Sequence, residues 1–126
     1  MSEETEAGAE FIGRFDAVIP VKVAFWLNPT EAGRWYLYIA SDEFDDQNLG
    51  PGYREVLRQA KEHSNFYVDP FRVRLIPARD PRALAALDIH RRYPSQRPTR
   101  IGAGAFGGMS VDGVFIYPAA AGAPTV

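Results

Sequence analysis

The chain has 126 residues, of which 46% are hydrophobic and 24% charged, and its formal net charge is −2. That length suits one domain burying roughly two-thirds of its unfolded surface, and the hydrophobic share excludes wholesale disorder. No apolar run approaches the roughly 20 residues that span a bilayer, and the lack of cysteine excludes disulfides, thiolate metal sites, Fe–S clusters and cysteine nucleophiles.

Residues 1–9 carry no apolar periodicity and read as a disordered acidic tail, with Phe11, Ile12 and Phe15 available to dock onto the domain that follows. The acidic start is the opposite of the basic, apolar pattern of a secretion signal, so a cytoplasmic protein is expected. From Val18 to Leu27 the side chains alternate, with Val21, Val23, Phe25 and Leu27 on one side and Lys22, Ala24 and Trp26 on the other. Arg34 to Ala40 alternates again, Trp35, Leu37 and Ile39 against Tyr36, Tyr38 and Ala40. A period of two predicts strands, and the turn-forming stretch Asn28 to Gly33 joins them into a hairpin.

An acidic loop, Ser41 to Gly50, precedes a helix that starts near Pro51, a residue suited to the first helical position. Tyr53, Val56, Leu57 and Ala60 form its apolar stripe, and Arg54, Glu55, Arg58 and Glu62 are expected to face water. Phe71 to Ile76 reads as a short strand. Asp80-Pro81 starts a second helix, which Pro94 is expected to stop, with Ala83, Ala86, Leu87 and His90 on its inner face. Thr99 to Phe106 is a glycine-rich strand candidate and Val114 to Tyr117 a last strand, followed by a loose tail over 119–126. The order β-β-α-β-α-(β)-β predicts a single α+β domain over 10–118: a mostly antiparallel sheet of four or five strands with two helices on one face.

Charge is segregated along the chain. Residues 1–50 hold three basic and ten acidic residues, whereas 51–126 hold eleven basic and six acidic ones. Arg outnumbers Lys twelve to two, which favours bidentate pairing with carboxylate or phosphate and stacking on rings.

With helices on one sheet face only, the alternating positions Lys22, Trp26, Tyr36, Tyr38, Arg72, Arg74, Phe115 and Tyr117 are expected to point away from them together. A face of rings and cations is too apolar for plain solvent exposure and too charged for a core, so it is read as an interaction surface. The expected role is therefore non-catalytic: a homodimer, or a small subunit or adaptor, binding a protein partner through Trp26, Tyr36, Tyr38, Arg72, Arg74, Phe115 and Tyr117. The alternative is a nucleic-acid-binding module that uses the same face plus the basic patch Arg91, Arg92, Arg97 and Arg100. A third reading is a small enzyme with His90 as acid or base. Coverage of the aromatic face by the Phe11–Phe15 segment is the intramolecular alternative.

Two patterns are read as structural. Gly102 to Gly107 fits G-x-G-x-x-G, but the helix that a dinucleotide loop must open is replaced by a turn and a strand. Asp42, Glu43, Asp45 and Asp46 lack the spacing of a calcium loop. No cofactor and no metal is expected.

Overall fold

The computed structural model describes residues 2–63, 67–93 and 97–118. In chain order the elements are α1 (Ser2–Asp16), β1 (Val23–Pro29), β2 (Tyr36–Ser41), α2 (Gly50–Glu62), β3 (Val73–Pro77), α3 (Pro81–Arg92), β4 (Thr99–Ile101), β5 (Gly104–Phe106) and β6 (Met109–Ile116). A 3₁₀ turn over Pro70–Arg72 leads into β3. The fold is α+β, with a six-stranded mixed sheet in the order β3-β2-β1-β6-β4 and β5 further along the same side of β6. The pair β2–β3 is parallel and the other pairs are antiparallel, because α2 carries the chain back to the starting end of the sheet.

Residues 2–9, expected as a tail, are instead the first turns of α1. Ala7, Phe11, Ile12 and Phe15 repeat at helical spacing and are all buried against the sheet. Each phenylalanine contributes roughly 1.5–3 kcal/mol on leaving water, enough to hold a helix whose remaining residues are mostly polar. Asp16 Oδ1 then accepts from the Val21 N–H at 2.7 Å, which fixes the turn into β1.

This extra helix changes the architecture from two layers to three. α1 and α2 cover one face, over Ala24, Trp26, Leu37, Ile39, Val73, Leu75, Phe115 and Tyr117. α3 covers the other through Ala83 and Ala86, over Val23, Phe25, Leu27, Tyr38, Ala40, Ile76, Val114 and Ile116. The hairpin register explains the division: Phe25 stands opposite Tyr38 and Leu27 opposite Tyr36, and opposed residues share a face. Odd positions of β1 therefore lie with even positions of β2. The expected set of eight outward residues is corrected accordingly. Trp26, Phe115 and Tyr117 belong to the α1/α2 side, while Tyr36, Tyr38 and the Arg74 stacked on Tyr36 belong to the α3 side.

Helix α1 also rotates the burial of α2. Glu55 and Gln59 are buried while Leu57 is 55% exposed, the reverse of the expected pattern for Glu55 and Leu57. Gln59 Oε1 accepts from Arg14 Nε of α1 at 3.2 Å, and Gln59 Nε2 donates to Glu55 at 2.6 Å. Arg58 closes the chain by pairing with Glu55 and Glu62. Its hydrogen bonds to Glu55 are the main reason that carboxyl is held below its usual range.

Helix α3 begins as its sequence predicts, with Asp80 accepting from the Arg82 N–H at 2.9 Å. It ends at Arg92, where the N–H of the C-cap residue Tyr93 donates to Ile89 O; Pro94 and the 119–126 segment lie outside the described residues. At the β3 edge the outward N–H groups are spent. Val73 donates to Pro70 O, Leu75 donates to Tyr53 Oη at 3.1 Å, and Pro77 has no N–H.

Candidate functional site

The residues expected to form one binding face occupy three environments. Trp26 Nε1 donates to Tyr117 Oη at 2.8 Å, and that hydroxyl donates to the Thr5 carbonyl at 2.6 Å. Both rings are buried, and burial pushes the Tyr117 phenol up to about 12. Phe115 packs edge-on to Tyr117 and carries the Arg100 guanidinium 4.7 Å from its ring centre. These groups tie α1 to the sheet.

On the opposite face Tyr38 stacks on Phe25 at 5.4 Å, and Arg82 donates to its hydroxyl at 3.1 Å while lying over its ring. Arg82 is in turn held by both oxygens of Asp80 at 2.9 Å, and these hydrogen bonds keep the Asp80 carboxyl below its usual range. Arg74 lies 4.6 Å over the Tyr36 ring. Lys22 is exposed and pairs with Asp42 at 3.6 Å.

The basic run is largely neutralised. Arg72 faces Asp69 at 3.9 Å, Arg79 faces Asp46 at 3.4 Å, and Arg91 and Arg92 both pair with Asp88. Arg97 and Arg100 are exposed on the segment through β4. His90 Nε2 lies 2.8 Å from the Tyr117 carbonyl, an acceptor only, so this nitrogen carries the proton. Its Nδ1 is buried without a partner among the described residues. The histidine is thus spent on joining α3 to the end of β6.

The acidic loop is turn structure. Asp45 accepts from the Gln47 N–H and Asn48 from the Asp45 N–H, each at 2.7 Å. No group of three or more potential metal ligands occurs among the described residues, and no helix among them is long and apolar enough to cross a membrane. The glycine string covers the link after β4, all of β5 and the start of the β5–β6 turn. Gly107 and Gly108, at φ 59° and 81°, make a tight turn with two left-handed residues. A Cβ on Gly107 would lie 2.6 Å from Arg82 Cα, so the hairpin tip rests directly on the start of α3.

What the fold does bring together is an open cleft of about 430 Å³ on the α1/α2 side, lined by Glu4, Trp26, Arg34, Trp35, Tyr67, Asp69 and Arg72. Two of these, Trp26 and Arg72, are among the expected site residues. Trp35 immediately precedes β2 and lies across β1 onto β6, where a Cβ on Gly113 would come 3.0 Å from its ring. Arg72 ends the 3₁₀ turn that Asp69 caps by accepting from Phe71 N–H at 2.9 Å. Arg34 is exposed and forms no ion pair among the described residues. Sequence reasoning missed Arg34, Trp35 and Tyr67. The adjacent Arg34-Trp35-Tyr36 string was the available signal, but alternation alone assigned Trp35 to the core.

Comparison with known proteins finds no matching family model, no matching curated protein and no matching solved structure.

Proposed function

We propose that this chain is a non-catalytic protein-interaction domain whose recognition site is the cleft of Trp26, Arg34, Trp35, Tyr67 and Arg72, and that it receives an acidic segment of a partner protein. One observation carries the reading: three aromatic side chains converge on an open concavity beside Arg34, which is exposed and forms no ion pair among the described residues. Trp, Tyr and Arg are the side chains that supply most binding energy at protein interfaces, because they bury large surface with few torsions and retain a polar handle. Arg34 supplies the charge for a partner carboxylate, and Trp35 and Tyr67 supply the walls for an adjacent ring or proline.

The same rings and guanidinium groups suit single-stranded nucleic acid. Glu4 and Asp69 in the lining and the net charge of −2 oppose a continuous chain of phosphates more than a single partner carboxylate seated at Arg34, and the pairing of Arg72, Arg79, Arg82, Arg91 and Arg92 with carboxylates weakens the basic patch.

Panning a displayed random-peptide library against the whole protein tests the reading. Enriched peptides are expected to place an acidic residue next to an aromatic residue or proline, and to lose binding at least tenfold to Arg34→Glu and to Trp35→Ala. Peptides indifferent to both substitutions, or no enrichment, would overturn it. A parallel titration with oligothymidylate at about 50 and about 200 mM salt decides the alternative: binding that collapses between the two, and in Arg34→Glu, assigns the cleft to nucleic acid instead.

A further inference from the structure

A second concavity lies on the other side of the Pro70–Arg72 turn, between it and α2. It measures about 370 Å³ and is lined by Tyr53, Val56, Leu57, Pro70, Phe71, Val73 and Arg74. Phe71 is 79% exposed and Leu57 55% exposed, so two large apolar side chains stand in water on either side of an apolar groove. Among the described residues the lining contains no carboxylate. Its one cation, Arg74, donates only to the main-chain oxygens of Phe71 and Val73. Along α2, Arg54 and Lys61 flank Leu57 at i−3 and i+4, one ridge on the helix surface. Both are exposed and neither meets an acid among the described residues.

The complementary surface is on the same molecule. Glu3, Glu6 and Glu10 are exposed along α1 at i, i+3 and i+7, one stripe of the helix, and none meets a cation among the described residues. α1 packs on the Glu55–Gln59 side of α2, whereas the groove lies on the Tyr53–Leu57 side. The body of α2 therefore separates the acidic stripe from the basic, apolar surface, and no single molecule joins them.

We propose that the surface of α2 and its groove is the interface of a homodimer, occupied by a second copy of this chain. A two-fold axis beside α2 sets the acidic stripe of each copy against the Arg54–Lys61 ridge of the other, with Leu57 and Phe71 of both copies enclosed between them. Such an interface is isologous, each copy giving and receiving the same contacts. Its apolar centre supplies adhesion, and its charged rim sets register and makes association salt-dependent. This inference is independent of the cleft: different residues carry it, and either stands if the other fails.

Sedimentation velocity of the full chain tests it. A species of twice 14.0 kDa is expected at low salt, shifting toward monomer as salt rises. Leu57→Glu and Phe71→Glu should each halve the mass while leaving the circular dichroism spectrum unchanged, since both side chains are exposed. Arg54→Glu with Lys61→Glu should also give monomer, and adding Glu6→Lys with Glu10→Lys should restore the dimer. Arg34→Glu and Trp35→Ala should leave the mass untouched. A wild-type chain that stays monomeric up to about 1 mM, a concentration at which even a weak dimer would be half formed, overturns the proposal. So does a dimer indifferent to the α2 and Phe71 substitutions, or a monomer whose library-selected peptides are lost in Leu57→Glu, which assigns the groove to a different protein.

Discussion

Gly8→Ala distinguishes a docked α1 from a merely helical one, because the two predict opposite signs. Gly8 is inside α1, where alanine is favoured over glycine by roughly 0.8–1.0 kcal/mol through lower backbone entropy cost. In the folded chain, however, the added methyl would overlap Tyr117 Oη and stand 3.1 Å from Trp26 Nε1 and 3.2 Å from Trp26 Cζ2. That hydroxyl is pinned from two sides, accepting from Trp26 at 2.8 Å and donating to Thr5 at 2.6 Å, so it cannot swing away without orphaning a buried donor and a carbonyl. Overpacking costs about 1–3 kcal/mol and the lost hydrogen bonds about another 1–3 kcal/mol. Set against the helix gain, the net is a loss of about 1–5 kcal/mol, or a midpoint lowered by about 3–20 °C at roughly 3–4 °C per kcal/mol for this size. Gly13→Ala is the control, since nothing lies within 4 Å of its added Cβ; it should gain up to about 1 kcal/mol. Both are read by urea denaturation followed through tryptophan fluorescence. A Gly8→Ala protein as stable as its Gly13→Ala counterpart would refute the seating of α1 on Trp26 and Tyr117.

Tyr117→Phe should cost about 1–3 kcal/mol at neutral pH by leaving the Trp26 N–H and the Thr5 carbonyl unpaired. Because burial raises the folded phenol to about 12 from about 10 in the unfolded chain, its contribution is complete below the unfolded value and is lost as pH rises through the folded one; melts between about pH 10 and 12 should show the gap to the phenylalanine variant closing. Asp80→Ala should cost about 1–2 kcal/mol through the lost cap, with a further, partly screened loss from its partly buried pair with Arg82. Arg82 depresses that carboxyl, so the pair stabilises above the unfolded carboxyl range and is lost as pH falls through the folded value. The difference between wild type and Asp80→Ala should therefore shrink as pH falls below the ordinary carboxylate range in acid titrations of the melting temperature. Gly107→Ala should destabilise more than Gly108→Ala by about 1–3 kcal/mol: both adopt positive φ, but only Gly107 abuts the Arg82 backbone, while nothing lies within 4 Å of a Cβ on Gly108. Equal losses in denaturant titrations would refute the contact.

Local signals were readable wherever one element carried them alone. The β1–β2 hairpin, the Pro51 and Asp80-Pro81 helix starts and the last strand all follow from alternation, caps and proline. Within each half of the sheet the face assignments also hold: Leu37, Ile39, Val73 and Leu75 share one side, and Phe25, Val114 and Ile116 share the other. The error was joining the halves with the wrong parity across the hairpin. Alternation fixes register only when one face is polar, and here helices cover both faces, so tyrosines and aliphatics are interchangeable as inward residues. α1 escaped because Ala7, Phe11, Ile12 and Phe15 are diluted among acids and glycines, and their partners Trp26, Phe44 and Tyr117 are far away in sequence. The cleft was illegible for the same reason. Glu4, Trp26, Trp35 and Tyr67 converge from four separate chain segments, and no local pattern encodes that meeting.

The outer strand β3 ends the sheet with its amide hydrogens already committed to a proline carbonyl and a tyrosine hydroxyl, and with Pro77 where a third would stand. An incoming chain finds no ladder to extend there. Whatever adheres beside Phe71 must hold by side chains alone, and a contact of that kind, once satisfied, offers no template for the next molecule. An edge closed in this way does not template further strands, so the exposed Phe71 beside it adds no ladder along which a fibre could grow.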